Sequence, residues 1–549
     1  MSSIHPDEVD YSYYDYTYGR LDHSNTSVIS QGPSWPSLAR IVLVILLRVG
    51  FVLIHVGSVP INNVNLILLQ NIVDVCWVTV VYVLVGFIVA YNGDVNGLVG
   101  EGYWIGDVGV DKDEAIIGWS AVVIAAAICT CGIVGRTHTV GYLVIGLLLA
   151  CLIQPLLIHW TWTPKGWMRR NALSGRDVKF QDYAGSAIVH LVGGLSGLIG
   201  CLTLGRRILQ LKAIDDASIA AGSSGTVFAG QLMVLIGLQS LSIPHAERFR
   251  IRGKSECHAY LNNILAASSC SLLVVAFHFV LTREEFNHWT VMRCVQATVA
   301  GLAMVSAGTD MYSPQVAIGM GVTGSVVFYL VSRRVFESAL EDYCNIVAIH
   351  VVCAALGSFL APLFAIEEDK DVNSILLNFS WQLICLITII SLVSITMYAA
   401  FTSLRLLGLL RNRSEHLNHM RASIVAERGP PRPYLQRLFF PDDSTVYLQP
   451  GSTTTADQRP GARAHQKEGA GQDRMNLLIY EFFVAILVLS RIIVSWPANR
   501  TIVAAATPKE IHSILTLEIR RRDWYNNTTV YTTLVKWHDS TKQINRLVC

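Results

Sequence analysis

Charge is scarce in this chain. Only 15% of its 549 residues are Asp, Glu, Lys or Arg, while 52% are hydrophobic. A soluble chain carries nearer a quarter of charged residues, and the mean hydropathy here is +0.43. Together these exclude an ordinary soluble protein and predict a polytopic protein of the lipid bilayer. Lys and Arg (42) nearly balance Asp and Glu (40), so no surplus of one sign argues for nucleic acid or an acidic substrate. Paired CxxC motifs are also lacking, and Cys129-Thr130-Cys131 has the wrong spacing for a zinc ribbon. The twelve cysteines read as small buried hydrophobes, not as a disulfide or metal framework, and no cofactor is implied. No HExxH, GxSxG or phosphate loop stands where it could work, which argues against an enzyme. The first 37 residues are polar, acidic and tyrosine-rich, so no cleaved signal peptide is expected.

What the chain has in quantity is long apolar runs. A bilayer span needs about 20 mainly apolar residues. Such runs fall at 38–60, 65–91, 115–135, 139–160, 182–205, 225–243, 257–281, 289–309, 313–333, 345–367 and 378–408, which predicts an all-α membrane protein of eleven transmembrane helices. Orientation follows the basic residues of short loops. With the N-terminus outside, Arg136, Arg206, Arg207, Lys212, Arg333, Arg334 and the run Arg405 to Arg413 face the cytosol. The acidic loops 92–114 and 366–372 then lie outside, and two basic loops, 163–181 and 244–256, disagree. The predicted layout is an extracellular tail (1–37), a membrane domain (38–408) and a cytosolic tail (409–549). Asn25-Thr26-Ser27 in the outer tail is a glycosylation acceptor. The second tail contains an apolar run, 476–496, broken by Glu481 and Arg491. It reads as non-crossing in preference to a twelfth span.

Two stretches echo each other. Asp182-Tyr183-Ala184-Gly185-Ser186-Ala187-Ile188-Val189-His190 and Asp342-Tyr343-Cys344-Asn345-Ile346-Val347-Ala348-Ile349-His350 share Asp-Tyr, six residues, then His, with Gly197 and Gly357 seven positions on. The fifth segment runs inward and the tenth outward, so Asp182 and Asp342 mark opposite faces. Eight residues of helix carry each histidine about 12 Å inward, close to the middle of a core about 30 Å thick. Ionisable groups at that depth are functional-site candidates. Antiparallel repeats that meet at the midplane are a transporter pattern, here two inverted five-helix repeats plus one helix. Gly193, Gly194, Gly197, Gly200 and Gly205 are read as points of close helix approach. His55, His278 and His288 are read as histidines bonded to carbonyls or placed at interfaces.

The segment from Asp182 to Gly197, with the Leu204-Gly205-Arg206-Arg207 that follows, resembles the signature of the ammonium transporter (Amt/Mep/Rh) family, Amt-like branch. Gly50-Phe51, Gly57-Ser58-Val59, Gln70-Asn71-Ile72-Val73-Asp74, Asn262-Asn263 and Ala300-Gly301 add to the likeness, which covers roughly 38–408. The resemblance implies an eleven-helix, N-out, C-in fold, usually a homotrimer in the plasma membrane, with one ammonium/ammonia pore per protomer. Twin pore histidines map onto His190 and His350, an outer aromatic onto Trp162, and the supporting acid onto Asp182. From the residues themselves, Asp182 reads as a helix cap before an ion ligand. Trp162 is balanced between a cation site and an interfacial anchor beside Trp160 and Trp167. Asp342 reads as a structural cap at the inner vestibule.

The same alignment exposes departures. The two stacked gate phenylalanines fall on Ala121 and near Leu241, and a hydroxyl of the cation site falls near His245. An expected glutamate before Arg136 is Gly135, and Arg48 sits in the first span with no partner legible in the sequence. The inner machinery is therefore kept and the outer recruitment site altered, which leads to an expectation of weak, non-selective or absent transport. The competing function is an ammonium sensor that signals through the C-terminal tail.

Overall fold

The computed structural model describes residues 35–58, 64–91, 93–102, 104–105, 112–205, 222–244, 257–281, 288–338, 340, 342, 344–365 and 371–412. Asn25, His245 and the run 476–496 lie outside the described residues. So does the whole second unit of the chain, Thr455–Cys549. The first unit is helical: α1 (Trp35–Ser58), α2 (Val64–Tyr91), α3 (Lys112–Ile133), α4 (Thr139–Trp162), α5 (Ser186–Leu204), α6 (Gly222–Leu238), α7 (Cys257–Leu281), α8 (His288–Val305), α9 (Pro314–Glu337), α10 (Val347–Phe364) and α11 (Val372–Leu406). Ten of these are long and apolar enough to cross a membrane, α6 with the tight turn Gln239–Ser242 that extends it; in α8 the apolar helix Thr290–Val305 is shorter. The eleven segments expected from the sequence are thus present as helices, and ten reach spanning length.

Backbone polarity explains the helices. Lipid cannot hydrogen-bond an open N–H or C=O, so a spanning segment must satisfy its own. Helix starts carry the residues that suit them. Ser313 accepts from the Val316 N–H ahead of Pro314, and Asp371 accepts from the Ser374 N–H at the start of α11.

Small residues set how closely the helices approach. Gly50 of α1 and Gly230 of α6 face each other, and a Cβ on either would lie 2.6 Å from the other's carbonyl oxygen. Gly197 of α5 meets the Cys129 backbone of α3, and Gly357 of α10 meets the Met304 backbone of α8. The helix partners are thus repeated in the two halves, α5 on α3 and α10 on α8. Gly205 departs from the expectation of close approach. Its φ is +70° with open space around it, so it ends α5 as a cap.

The basic loop 163–181 folds into a hairpin of β1 (Asn171–Leu173) and β2 (Arg176–Val178). It is pinned to α11 by Arg176 to Asp371 at 2.6 Å and by the Lys179 N–H to Asn378 Oδ1 at 3.0 Å. Asn378 of the Asn378-Phe379-Ser380 triplet is 3% exposed, which leaves no room for a glycan.

Candidate functional site

Both histidine segments begin with the same device. The Asp182 carboxylate accepts from the N–H groups of Ala187 (3.2 Å) and Ile188 (3.0 Å). The Asp342 carboxylate accepts from Ile346 (3.0 Å) and Val347 (2.9 Å). Three residues after each aspartate the backbone takes a positive φ, 77° at Gly185 and 53° at Asn345. Glycine and asparagine are the residues that tolerate it. Each helix then opens as a widened π-type turn, Ser186–Leu191 and Val347–Cys353, containing the histidine. Such turns free a carbonyl and concentrate at functional sites. Gln154 of α4 donates to the Ile188 carbonyl at 2.6 Å. The Ser186 hydroxyl lies between the carbonyls of Ala303 (3.0 Å) and Ala354 (2.9 Å), joining α5, α8 and α10.

The two histidines come together. His190 Nδ1 and His350 Nδ1 are 2.9 Å apart, the ring centroids 5.0 Å apart and the planes 9° from parallel. His190 is fully buried and His350 is 3% exposed. One Nδ1 must donate and the other accept, so the pair holds one proton between the rings. His190 Nε2 has no partner within the protein. A small cavity reaches His350 and is lined by Phe51, Ile54, Cys131, Val234 and Ile349.

Trp162 stands at the start of α5. Its indole N–H donates to the Asp182 carbonyl at 2.7 Å, and its ring lies 3.7 Å from where a Gly185 Cβ would be. Trp160, Trp167 and Trp381 form a separate edge-on cluster. Ala121 (fully buried, α3) and Leu241 (8% exposed, in the turn after α6) occupy the positions aligned with the gate. The Tyr183 hydroxyl donates to the Ser242 carbonyl next to Leu241.

Sequence reasoning missed an intramembrane polar network. Arg48 of α1 pairs with Asp74 of α2 at 2.8 Å and reaches the Asn71 carbonyl at 3.3 Å. The Asn71 side-chain amide lies 3.3 Å from His55 Nδ1, and His55 Nε2 lies 3.3 Å from Cys131 Sγ. Asn71 can only donate there, which fixes the His55 proton on Nε2. His55 thus meets side chains rather than a carbonyl. The signal was present: Arg48 and His55 are seven apart, and Asn71 and Asp74 three apart, which puts each pair on one helix face.

The fold and the buried, stacked histidines define a polytopic helical membrane protein with an intramembrane polar site at the junction of two related halves. The chain belongs to the Ammonium Transporter Family, whose sequence model matches residues 36–421. Ammonium transporter 1 member 3 of Solanum lycopersicum is 26% identical over 407 residues, covering 68% of this chain and 87% of that protein. Ammonium transporter 1 member 2 of Oryza sativa subsp. japonica is 27% identical over 394 residues, covering 65% and 78%. Among solved structures, Saccharomyces cerevisiae Mep2 superposes with a TM-score of 0.58 at 18% identity, covering 75% of this chain and 92% of that one. A structure described as Sensor Amt Protein gives 0.58 at 20% identity, covering 70% and 95%. Both likenesses speak to the fold.

Proposed function

We propose that this chain moves ammonium-derived substrate across a membrane through a pore lined by His190 and His350. The observation that carries the reading is the 2.9 Å Nδ1–Nδ1 contact of two buried rings. A bare cation at the bilayer centre costs at least a few kcal/mol, so removing the proton and passing neutral ammonia lowers the barrier. The shared Nδ1 proton makes the two outer nitrogens unlike. The ring that donates through Nδ1 presents an accepting Nε2, and the other ring presents a donating Nε2–H. The pair can therefore hold ammonia from both sides. Exchange of the inner proton reverses the polarity and offers a route for the proton itself.

At the mouth, the Trp162 ring face attracts a partly dehydrated cation, worth about 1–2 kcal/mol, and its bond to Asp182 fixes that ring. Asp182 acts through its helix cap and its negative potential. Asp342 does the same at the inner end, where it suits the free N–H groups. The reading extends to a homotrimer in the plasma membrane, N-terminus outside and C-terminus cytosolic, with a glycan on Asn25.

The second reading, an ammonium sensor with little flux, is favoured by Ala121 and Leu241 standing where the outer aromatic gate is expected. Growth on limiting ammonium of yeast cells lacking their own ammonium transporters separates the two, with surface expression measured. Growth that disappears in the His190→Ala/His350→Ala double variant supports the pore. No growth from protein present at the surface overturns it in favour of the sensor.

A further inference from the structure

Glu114 opens α3, and although its sequence position suggests an outer loop, its side chain is buried, 6% exposed. A buried carboxylate in the first turn of a spanning helix is costly and calls for a partner of opposite charge. One turn on along the same face comes Gly118, and after it Ala121. Further along, the same face meets the pore helix α5, through Ala125 against Gly193 and Gly132 against Gly197. Glu114 and Gly118 are therefore on the side of α3 that looks toward the conduction path.

Two tyrosines of α2 cover Gly118. A Cβ there would lie 2.0 Å from the Tyr82 hydroxyl oxygen and 2.8 Å from the Tyr91 ring. Only the missing side chain lets the hydroxyl reach this face. Tyr82 is fully buried and its hydroxyl has no partner within the protein. Glu114 is close enough to that hydroxyl to act on it electrostatically. Tyr82 also begins a widened π-type turn, Tyr82–Gly86, of the kind that gathers at functional sites. The nearest fixed cation, Arg40, is tied to the carbonyls of Ser240 (3.2 Å) and Ile243 (2.7 Å), in the turn that carries Leu241.

We propose that Glu114 and the Tyr82 hydroxyl, packed over Gly118 beside the Tyr91 ring, form a binding site for a small monovalent cation of the ammonium class. The site lies on the face of α3 that carries Ala121 and is separate from Trp162 and Asp182. Glu114 supplies the neutralising charge, the Tyr82 oxygen accepts one N–H of the ion, and the tyrosine rings offer their faces. The site replaces the absent aromatic gate as the place where the ion pauses before it loses its proton. This deepens the transport reading and rests on it for the function of the ion, though not for its binding.

The test is calorimetric titration of ammonium chloride into the purified full-length chain in detergent, with choline chloride holding the ionic strength constant. Saturable binding is expected. Glu114→Gln weakens it about tenfold or more, as loss of a hydrogen bond to a charged group does, and Tyr82→Phe weakens it about three- to tenfold. Tyr82→Phe removes only an oxygen without a partner, so it keeps the test intact if Glu114→Gln fails to fold. Glu114→Asp restores part of the affinity. The His190→Ala/His350→Ala variant keeps this binding while losing uptake, so failure of the pore reading alone leaves the binding in place. Absence of saturable ammonium binding, or an affinity unchanged in both Glu114→Gln and Tyr82→Phe, overturns the proposal.

Discussion

Gly194 of α5 packs directly on the backbone that carries His350. A Cβ at this position would lie 2.8 Å from both the His350 carbonyl carbon and its Cβ, and 3.0 Å from its carbonyl oxygen. Ordinary van der Waals contact begins at 3.4 Å, so Gly194→Ala demands a separation of about 0.6 Å between α5 and α10. The obstructing atoms are backbone in a close-packed region, so no side-chain rotation relieves them. Overpacking of this kind costs about 1–3 kcal/mol. The functional effect is larger than the stability effect. The same displacement added to the 2.9 Å Nδ1–Nδ1 contact opens it to about 3.5 Å, where a hydrogen bond is lost. Misplacement on the scale of 1 Å reduces rates by about a hundredfold, so uptake per surface copy should fall at least tenfold. The control is Gly319→Ala in α9, where a Cβ meets nothing within 4 Å and the change should be neutral or slightly stabilising. Radiolabelled methylammonium uptake in transporter-deficient yeast, normalised to surface protein, reads both. Wild-type uptake from Gly194→Ala would refute the claim that the histidine contact depends on this helix spacing.

The Arg48–Asp74 pair is buried on both sides, so Arg48→Met leaves an uncompensated carboxylate and should cost about 3–5 kcal/mol, while Arg48→Met/Asp74→Leu recovers most of it; thermal unfolding in detergent measures both. Asp182→Ala and Asp342→Ala each remove two backbone bonds at a helix start and should cost about 0.5–2 kcal/mol. Equal losses at the two sites are the expected result, and a loss at Asp182 alone would contradict their equivalence. Asp371 is held down to about 2, first by the Ser374 hydroxyl and then by Arg176. A lowered folded value means its contribution is complete above about pH 4 and disappears as pH falls toward 2. Asp371→Asn should therefore leave the pH profile of uptake between about 5 and 8 unchanged.

The repeat was legible because helix geometry turns a spacing into a depth. Asp-Tyr followed by His eight residues after the aspartate fixed both the caps and the meeting point, and Gly197 and Gly357 lie on the partner helices that the repeat implies. Partners that depend on two helices far apart in sequence were not legible. Nothing in α1 states that Arg48 will face Asp74, since the choice between a lipid face and a helix face is made by packing. The start of α3 was placed three residues late because Asp111-Lys112-Asp113-Glu114 reads as loop. The helix begins inside that charged run, and so Glu114 was assigned to solvent although its side chain is buried.

The two halves keep the same cap, the same positive-φ residue and the same widened turn, yet their surroundings differ. Around His350 lie Cys131, Ile349 and apolar walls. On the side where α5 begins, above His190, lie Trp162, Tyr183, the Ser240–Ser242 turn and, across α3, Glu114 beneath two tyrosines. A symmetric backbone device positions two rings equally well from opposite faces, but it cannot tell a cation from neutral ammonia. That distinction requires charge and aromatic faces on one side of the histidines and their absence on the other. The polarity of the chain is therefore set by residues outside the repeat. This also explains how the twin histidines can persist while the gate positions become Ala121 and Leu241. The histidines answer to each other across 2.9 Å, whereas the mouth needs only a negative centre, and Glu114 provides one.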